Sequence, residues 1–183
     1  MNDKLIQKSR WFWGWDDDKE EAWLTEMAKN GLHLQSAALF GKYTFAKGEP
    51  REMAYRLDFV PANKKDESYF QLFCDAGWEY VGELSGWQYW RKEVKPGEAA
   101  EIFTDVDSKI QKYQRLFGFL AIIFLPFFMG MFNMRYLLTS PYTFADWVEG
   151  VFVGVGVLVT VMFFLYIYIF IRIGMRIRQL KRL

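Results

Sequence analysis

The sequence predicts a duplicated α+β domain followed by a two-helix transmembrane hairpin. Three observations carry that reading. Acidic charge is confined to one part of the chain, two long segments carry no charge at all, and the charged part repeats itself at an offset of 46 residues. Up to Arg115 the chain holds 17 of its 23 Lys/Arg and 20 of its 22 Asp/Glu, a net −3, whereas the remaining 68 residues carry a net +4. The near-neutral total is therefore an average over two segments suited to different solvents. A hydrophobic share of 52% excludes disorder, and the acidic balance of the polar part argues against a nucleic-acid partner.

The repeat covers residues 1–95, with units at about 8–48 and 54–93. Trp23-Leu24 falls on Tyr69-Phe70, Met27-Ala28 on Phe73-Cys74, Gly31 on Gly77, and Leu34 on Tyr80. With a two-residue gap, Tyr43 to Lys47 falls on Trp87 to Arg91. Each unit reads strand, helix, strand, strand. In the first, the alternating aromatics of residues 10–15 predict a strand. Asp16, Asp17 and Asp18 then offer an N-cap and favourable charge for a helix running to Asn30, with Gly31 as its stop. Residues 32–38 and 42–46 form a hairpin. In the second unit, residues 54–60 predict the first strand and residues 63–76 the helix region, with Gly77 as its stop. Residues 78–83 and 86–93 form the second hairpin. The sum is a six-stranded sheet with two helices on one face.

Residues 96–115 read as a linker, Lys95-Pro96-Gly97-Glu98, and an amphipathic juxtamembrane helix through Ile102, Phe103, Val106, Ile110, Tyr113 and Phe117. That helix either lies on the headgroups or continues into the first span. Residues 116–134 and 150–171 are uncharged runs of 19 and 22 residues. About 20 apolar residues suffice to cross a bilayer core of roughly 30 Å. Pro126 is expected to kink the first span. The intervening loop, residues 135–149, has only Arg135 against Asp146 and Glu149, whereas the flanks carry Lys109, Lys112, Arg115, Arg172, Arg176, Arg178, Lys181 and Arg182. Both termini are therefore expected in the cytosol, the protein being multi-pass in the cytoplasmic membrane, with residues 172–183 a basic cytosolic tail. Tyr136, Tyr142 and Trp147 suit the outer headgroup layer. No cleavable signal is expected, because the apolar stretch after Lys4, Lys8 and Arg10 ends at Asp16. A lone cysteine, Cys74, agrees with a reducing compartment.

The segments WFWGWDDDKEEAWLTEMAKNGLHL, YTFAKGEP, YRLDF and DAGWEYVGELSGWQYWRK together resemble the bacterial domain-of-unknown-function family 2812, over roughly residues 8–93. The resemblance implies membrane helices behind the cytosolic domain. It also implies a link to membrane-stress or drug-response regulation, since many members are encoded beside PadR-like transcriptional regulators. It implies no activity and carries over no functional residues.

The residues offer no catalytic, metal or cofactor constellation, and a non-enzymatic protein is expected. His33, alone of its kind, points away from the face of Leu32 and Leu34. Cys74 aligns with Ala28 on a helix face and reads as a buried structural thiol. The acidic run at residues 16–18, with Glu20 and Glu21, reads as capping and helix-dipole charge. Strand parity assigns Trp11, Trp13, Trp15, Tyr43, Phe45, Tyr55, Leu57, Phe59, Trp87 and Tyr89 to the helix-covered face. The opposite parity leaves Phe12, Thr44, Arg56, Asp58, Gln88 and Trp90 on an open face. That face is either merely solvated or a docking surface for a protein partner or a small amphipathic ligand. Gly150 and Gly154 form a GxxxG pair, expected either to pack the hairpin or to support a homodimer. The function expected is a membrane-anchored sensing or interaction module. The alternative is an accessory subunit of a membrane complex such as a transporter, with its specificity in the hairpin.

Overall fold

The structure, a computed structural model, describes residues 5–62, 65–94, 106–138 and 146–182. The chain divides into two compact units, Met1–Arg115 and Leu116–Leu183. The linker at residues 95–98, Ile102, Phe103 and Tyr142 lie outside the described residues.

The first unit is mixed α+β. Its elements are β1 (Leu5–Ser9), α1 (Asp17–Lys29), β2 (Leu32–Ala38), β3 (Lys42–Lys47), β4 (Met53–Phe59), α2 (Glu67–Asp75), β5 (Glu79–Leu84) and β6 (Trp87–Glu93), followed by the start of α3 (Val106–Leu138). Helix and hairpin positions follow the pattern of the residues, except that α2 begins at Glu67, four residues after the start of its expected region, because Asp66 is its cap. Gly31 and Gly77 stop the two helices at φ +74° and +80°, a conformation that costs a residue without Cβ nothing. Asp66 caps α2 by accepting from the Tyr69 N–H at 2.9 Å. Asp16, by contrast, makes no side-chain cap on α1.

The six strands do not form one sheet. They form two antiparallel three-stranded sheets, ordered β1-β3-β2 and β4-β6-β5. Both sheets place the last strand of the unit in the centre, and both carry a register shift at a matching point, Leu34/Ser36 and Tyr80/Gly82. A bulge sharpens local twist, and the twisted outer strands β2 and β5 abut without a ladder. Arg91 bridges the seam by donating to the Leu34 carbonyl at 3.3 Å.

The first strand is five residues earlier than its aromatic pattern suggests. Leu5–Ser9 pairs with β3, and the chain leaves the sheet once the Arg10 N–H has bonded the Gly41 carbonyl at 2.8 Å. Trp11 to Trp15 form a loop whose rings pack on one another. Trp13 stacks on Trp15 at 5.2 Å, and Phe12 lies 5.7 Å from Trp23. Aromatic strand propensity reflects fit to a half-buried surface, and here the loop supplies that surface.

The two helices cover opposite faces of the second sheet. α1 lies over Leu34, Tyr43 and Phe45 of the first sheet and over Tyr55, Leu57 and Tyr89 of the second. α2 places Phe73 on Ala54, Trp78 and Trp90 on the other side, with Phe73 stacked on Trp90 at 4.4 Å. The arrangement of both helices on one face is thus corrected. Cys74 is also corrected, because it is exposed.

In the second unit, Leu116 onward, the helices are α3 and α4 (Asp146–Leu180). Both are long and apolar enough to cross a membrane, over Asp107–Gly130 and Gly150–Leu180. α3 is one continuous helix from Val106, so the juxtamembrane segment runs on into the apolar stretch, and Pro126 lies inside it. The two helices pack antiparallel on an aromatic seam. Phe117 meets Phe170 at 4.8 Å, and Phe124 meets Tyr166 at 5.1 Å and Phe163 at 5.6 Å.

Candidate functional site

The site begins with the spacing of three carboxylates on α1. Asp17, Glu20 and Glu21 stand at i, i+3 and i+4, so they share one helical face. That face is turned into the domain: Asp17 is 4% exposed, Glu20 7%, and the Glu21 side chain 12%. Buried carboxylates need donors, and each of the three finds a different set.

Asp17 is held by the first turns of α3. Lys112 forms a short ion pair with its Oδ2, and the Tyr113 hydroxyl donates to its Oδ1 at 2.5 Å. Glu20 accepts at Oε1 from the hydroxyls of Tyr43 and Tyr89, both at 2.8 Å. One carboxylate oxygen thus ties the central strands of both sheets. Burial pushes the Glu20 carboxyl above its ordinary range, against the pull of the two phenol donors. Glu21 accepts from the Leu57 N–H at 2.8 Å and lies 3.4 Å from the Arg56 guanidinium. Burial raises its carboxyl to about 7.

These contacts line the outer edge of β4, which no described strand covers. An edge strand exposes every second pair of backbone groups, and here side chains satisfy them. Glu21 takes the Leu57 N–H, Lys112 donates to the Leu57 carbonyl at 3.1 Å, and Arg115 donates to the Phe59 carbonyl at 2.8 Å. Arg56 donates to the carbonyl of Tyr55 at 2.7 Å. Arg115 also pairs with Asp58 at 2.6 Å, and the Tyr69 hydroxyl of α2 donates to the other Asp58 oxygen at 3.3 Å. Burial raises the Asp58 carboxyl although Arg115 and Lys112 oppose it. The residues that sequence reasoning takes only as topology charges, Lys112 and Arg115, form a clamp on the domain.

Beside the clamp, a cavity of about 170 Å³ opens between the hairpin turns of both halves. Its walls include Trp11, Phe12, Trp13, Phe40, Tyr43, Trp87 and Tyr89, and Asp17 and Glu20 reach it from α1. Phe40 holds φ +62° and is 80% exposed; Ser85, in the other turn, holds φ +51°. Positive φ is costly for a bulky residue, so the turn presents the Phe40 ring at the cavity at some expense in backbone energy.

The open face expected from parity does not exist in the second half. Trp90 and Gln88 are completely buried and Asp58 is 1% exposed. The Trp90 indole N–H donates to the Tyr69 hydroxyl at 3.3 Å, and Gln88 accepts from the Tyr80 hydroxyl at 3.0 Å. α2 covers these residues, which are core and clamp rather than surface. Arg56 is half-buried between Glu21 and the β4 backbone. Thr44 is half-buried on β3, opposite Gln7 and Ser36, and Phe12 joins the cavity wall instead. Trp11 and Trp13, assigned to the core, are 58% and 39% exposed, whereas Trp15 is buried. Among the described residues nothing lies within 4 Å of a Cβ added at Gly150 or Gly154. The His33 ring lies 2.8 Å from the Glu49 carbonyl. Among the described residues no group of three or more His, Cys, Asp or Glu stands close enough to hold a metal ion.

The model of a protein family of unknown function, DUF2812, matches residues 16–125, more than half of the chain. The chain belongs to the DUF2812 family. The match begins at the α1 N-cap and extends past the clamp, so the DUF2812 unit includes Asp17, Asp58, Lys112 and Arg115, beyond the repeat that the motifs alone outline. No curated protein and no solved structure matches the chain.

Proposed function

We propose that this DUF2812 protein is a membrane-anchored, non-enzymatic sensing or interaction module, multi-pass in the cytoplasmic membrane with both termini in the cytosol. The observation that carries the reading is the clamp. Asp17 both lines the aromatic cavity and holds Lys112 and Tyr113 at the start of α3. A ligand or protein segment entering the cavity meets the same carboxylate face that grips α3, so occupancy and grip are linked. The basic flanks of the apolar segments support the orientation. The gene neighbourhood implied by the family resemblance supports an output through a PadR-like regulator.

The exposed lone cysteine provides the test of orientation. A membrane-impermeant maleimide labels Cys74 in inverted membrane vesicles and not in intact cells; labelling in intact cells refutes the cytosolic placement. Amide hydrogen exchange of residues 107–115 in the full-length protein tests the sensing reading. Protection of this segment changes when a cavity ligand or a partner is added, and unchanged protection with a bound ligand refutes the link.

A second reading draws on the small-residue pair Gly150 and Gly154, beside which no described residue comes within 4 Å of an added Cβ. There the hairpin docks on another membrane protein and the module is an accessory subunit. Replacing both glycines with Ile then abolishes co-purification of the complex, while an Arg56→Gln variant retains it.

A further inference from the structure

The aromatic cavity joins three features that point to one ligand chemistry. Its walls are rings: Trp11, Phe12, Trp13 and Trp87 contribute π-faces and edges from the loop before α1 and from the second hairpin. Its floor carries two carboxylates, Asp17, which is already paired with Lys112, and Glu20, which no Lys or Arg pairs among the described residues; no Lys, Arg or His lines the cavity. Glu20 is more than nine-tenths buried, its two donors, the Tyr43 and Tyr89 hydroxyls, both reach Oε1, and among the described residues no hydrogen bond reaches Oε2.

We propose that this cavity binds a small organic monocation, an ammonium group carrying short alkyl or aromatic substituents. The proposal rests on the sensing reading above and names its ligand class. Aromatic faces attract a cation through the ring quadrupole, and the attraction grows as water is excluded. A buried carboxylate selects for charge, because a neutral ligand of the same shape leaves it without a counter-ion. The apolar walls disfavour an inorganic ion, since they offer no oxygen ligands to replace its hydration shell. At about 170 Å³ the cavity lies below the roughly 300 Å³ at which drug-sized pockets begin. That limits the ligand to the scale of tetramethylammonium or choline.

The test uses the full-length protein in a maltoside detergent, which has no choline headgroup, with calorimetric titration of choline and of its neutral carbon isostere 3,3-dimethylbutan-1-ol. Choline binds at least ~10-fold tighter than the isostere, as cation–π contacts with a desolvated charge imply. Glu20→Gln keeps an acceptor for Tyr43 and Tyr89 and removes that preference. Trp11→Ala, at an exposed ring, weakens choline ~3-fold or more without changing the melting temperature. Equal binding of the two ligands overturns the proposal. So does the absence of saturable choline binding, or unchanged choline affinity in a folded Glu20→Gln or in Trp11→Ala.

The same cation could be presented by a lipid headgroup. Loss of free-choline binding in phosphatidylcholine nanodiscs, with retention in phosphatidylglycerol nanodiscs, assigns the site to the headgroup; retention in both assigns it to a free cation. The two proposals fail separately. Choline binding without altered exchange at residues 107–115 keeps the ligand class and removes the link to α3. Absence of binding removes the ligand class and leaves the Cys74 topology result standing.

Discussion

In the first half of the domain, α1 turns carboxylates inward, and Asp17, Glu20 and Glu21 are answered by tyrosines, an edge strand and α3. In the second half, α2 turns Tyr69, Phe70 and Phe73 onto Trp90, and its acidic groups stay outside. Strand order and bulge position match in both halves, so the strand frame does not dictate what its helix buries. The apolar helix supplies a core in the usual way, at the cost only of ordering its rings. The acidic helix requires a partner for every charge, and those partners include the residues that lead into the membrane helix. A frame shared by two halves is thus used once for stability and once for attachment.

Four experiments separate those uses. Trp90→Ala removes the centre of the second core. The full-length protein then loses about 4 kcal/mol by chemical denaturation, in the range of a large buried ring. A loss below about 1 kcal/mol, as for an exposed surface ring, means the second half is not built around this residue.

Lys112→Met strips the counter-charge from buried Asp17 and costs about 3 kcal/mol, the lower end for a broken buried pair. Asp17→Asn with Lys112→Met recovers most of it, since removing both charges removes the desolvation problem. A double variant as unstable as the single one removes the clamp from the argument.

The pH response of Glu21 has a defined sign. Its folded-state carboxyl titrates at about 7 against an ordinary 4.5, with burial as the main cause. The folded protein therefore holds a proton that the unfolded chain has lost between those values, and stability falls as pH rises across that window. A shift of that size corresponds to roughly 3 kcal/mol, already net of the opposing Lys112 and Arg56 charges. Glu21→Gln keeps an acceptor for the Leu57 N–H and flattens this part of the stability profile. An unchanged slope between pH 5 and 7 refutes the assignment.

The smallest effect compares the two helix starts. Asp66 caps α2 through the Tyr69 N–H and Asp16 makes no such bond. Asp66→Ala lowers the melting temperature, and Asp16→Ala changes it less.

Much of this frame is legible before any coordinates. The hairpins, the start of α1 and the glycine stops follow from local chemistry, because turn geometry and apolar spacing act within a few residues. The aromatic loop at Trp11 to Trp15 is not, because ring-rich alternation says that a segment will be half-buried and not against what. Parity separates Leu57 from Asp58 correctly, yet it cannot tell that both faces of the second sheet are covered. The aromatics of α2 could have signalled this, since Tyr69, Phe70 and Phe73 need an apolar surface that the first face has already given to α1. Lys112 and Arg115 are hidden for another reason. A basic residue before an apolar helix satisfies the positive-inside pattern whether or not it also binds a carboxylate. The cavity is least legible, because it is assembled from two turns and a loop far apart in sequence.

The clamp on β4 also has a place in time. Every described strand of the domain precedes residue 94, but the groups that close the β4 edge, Lys112 and Arg115, follow it. During synthesis both sheets are complete in sequence while that edge is still bare. It is sealed as the first apolar helix begins to leave the ribosome. The domain therefore closes its last edge only as its long apolar helix emerges, and a released chain truncated between residues 94 and 112 is the form most exposed to edge-to-edge association.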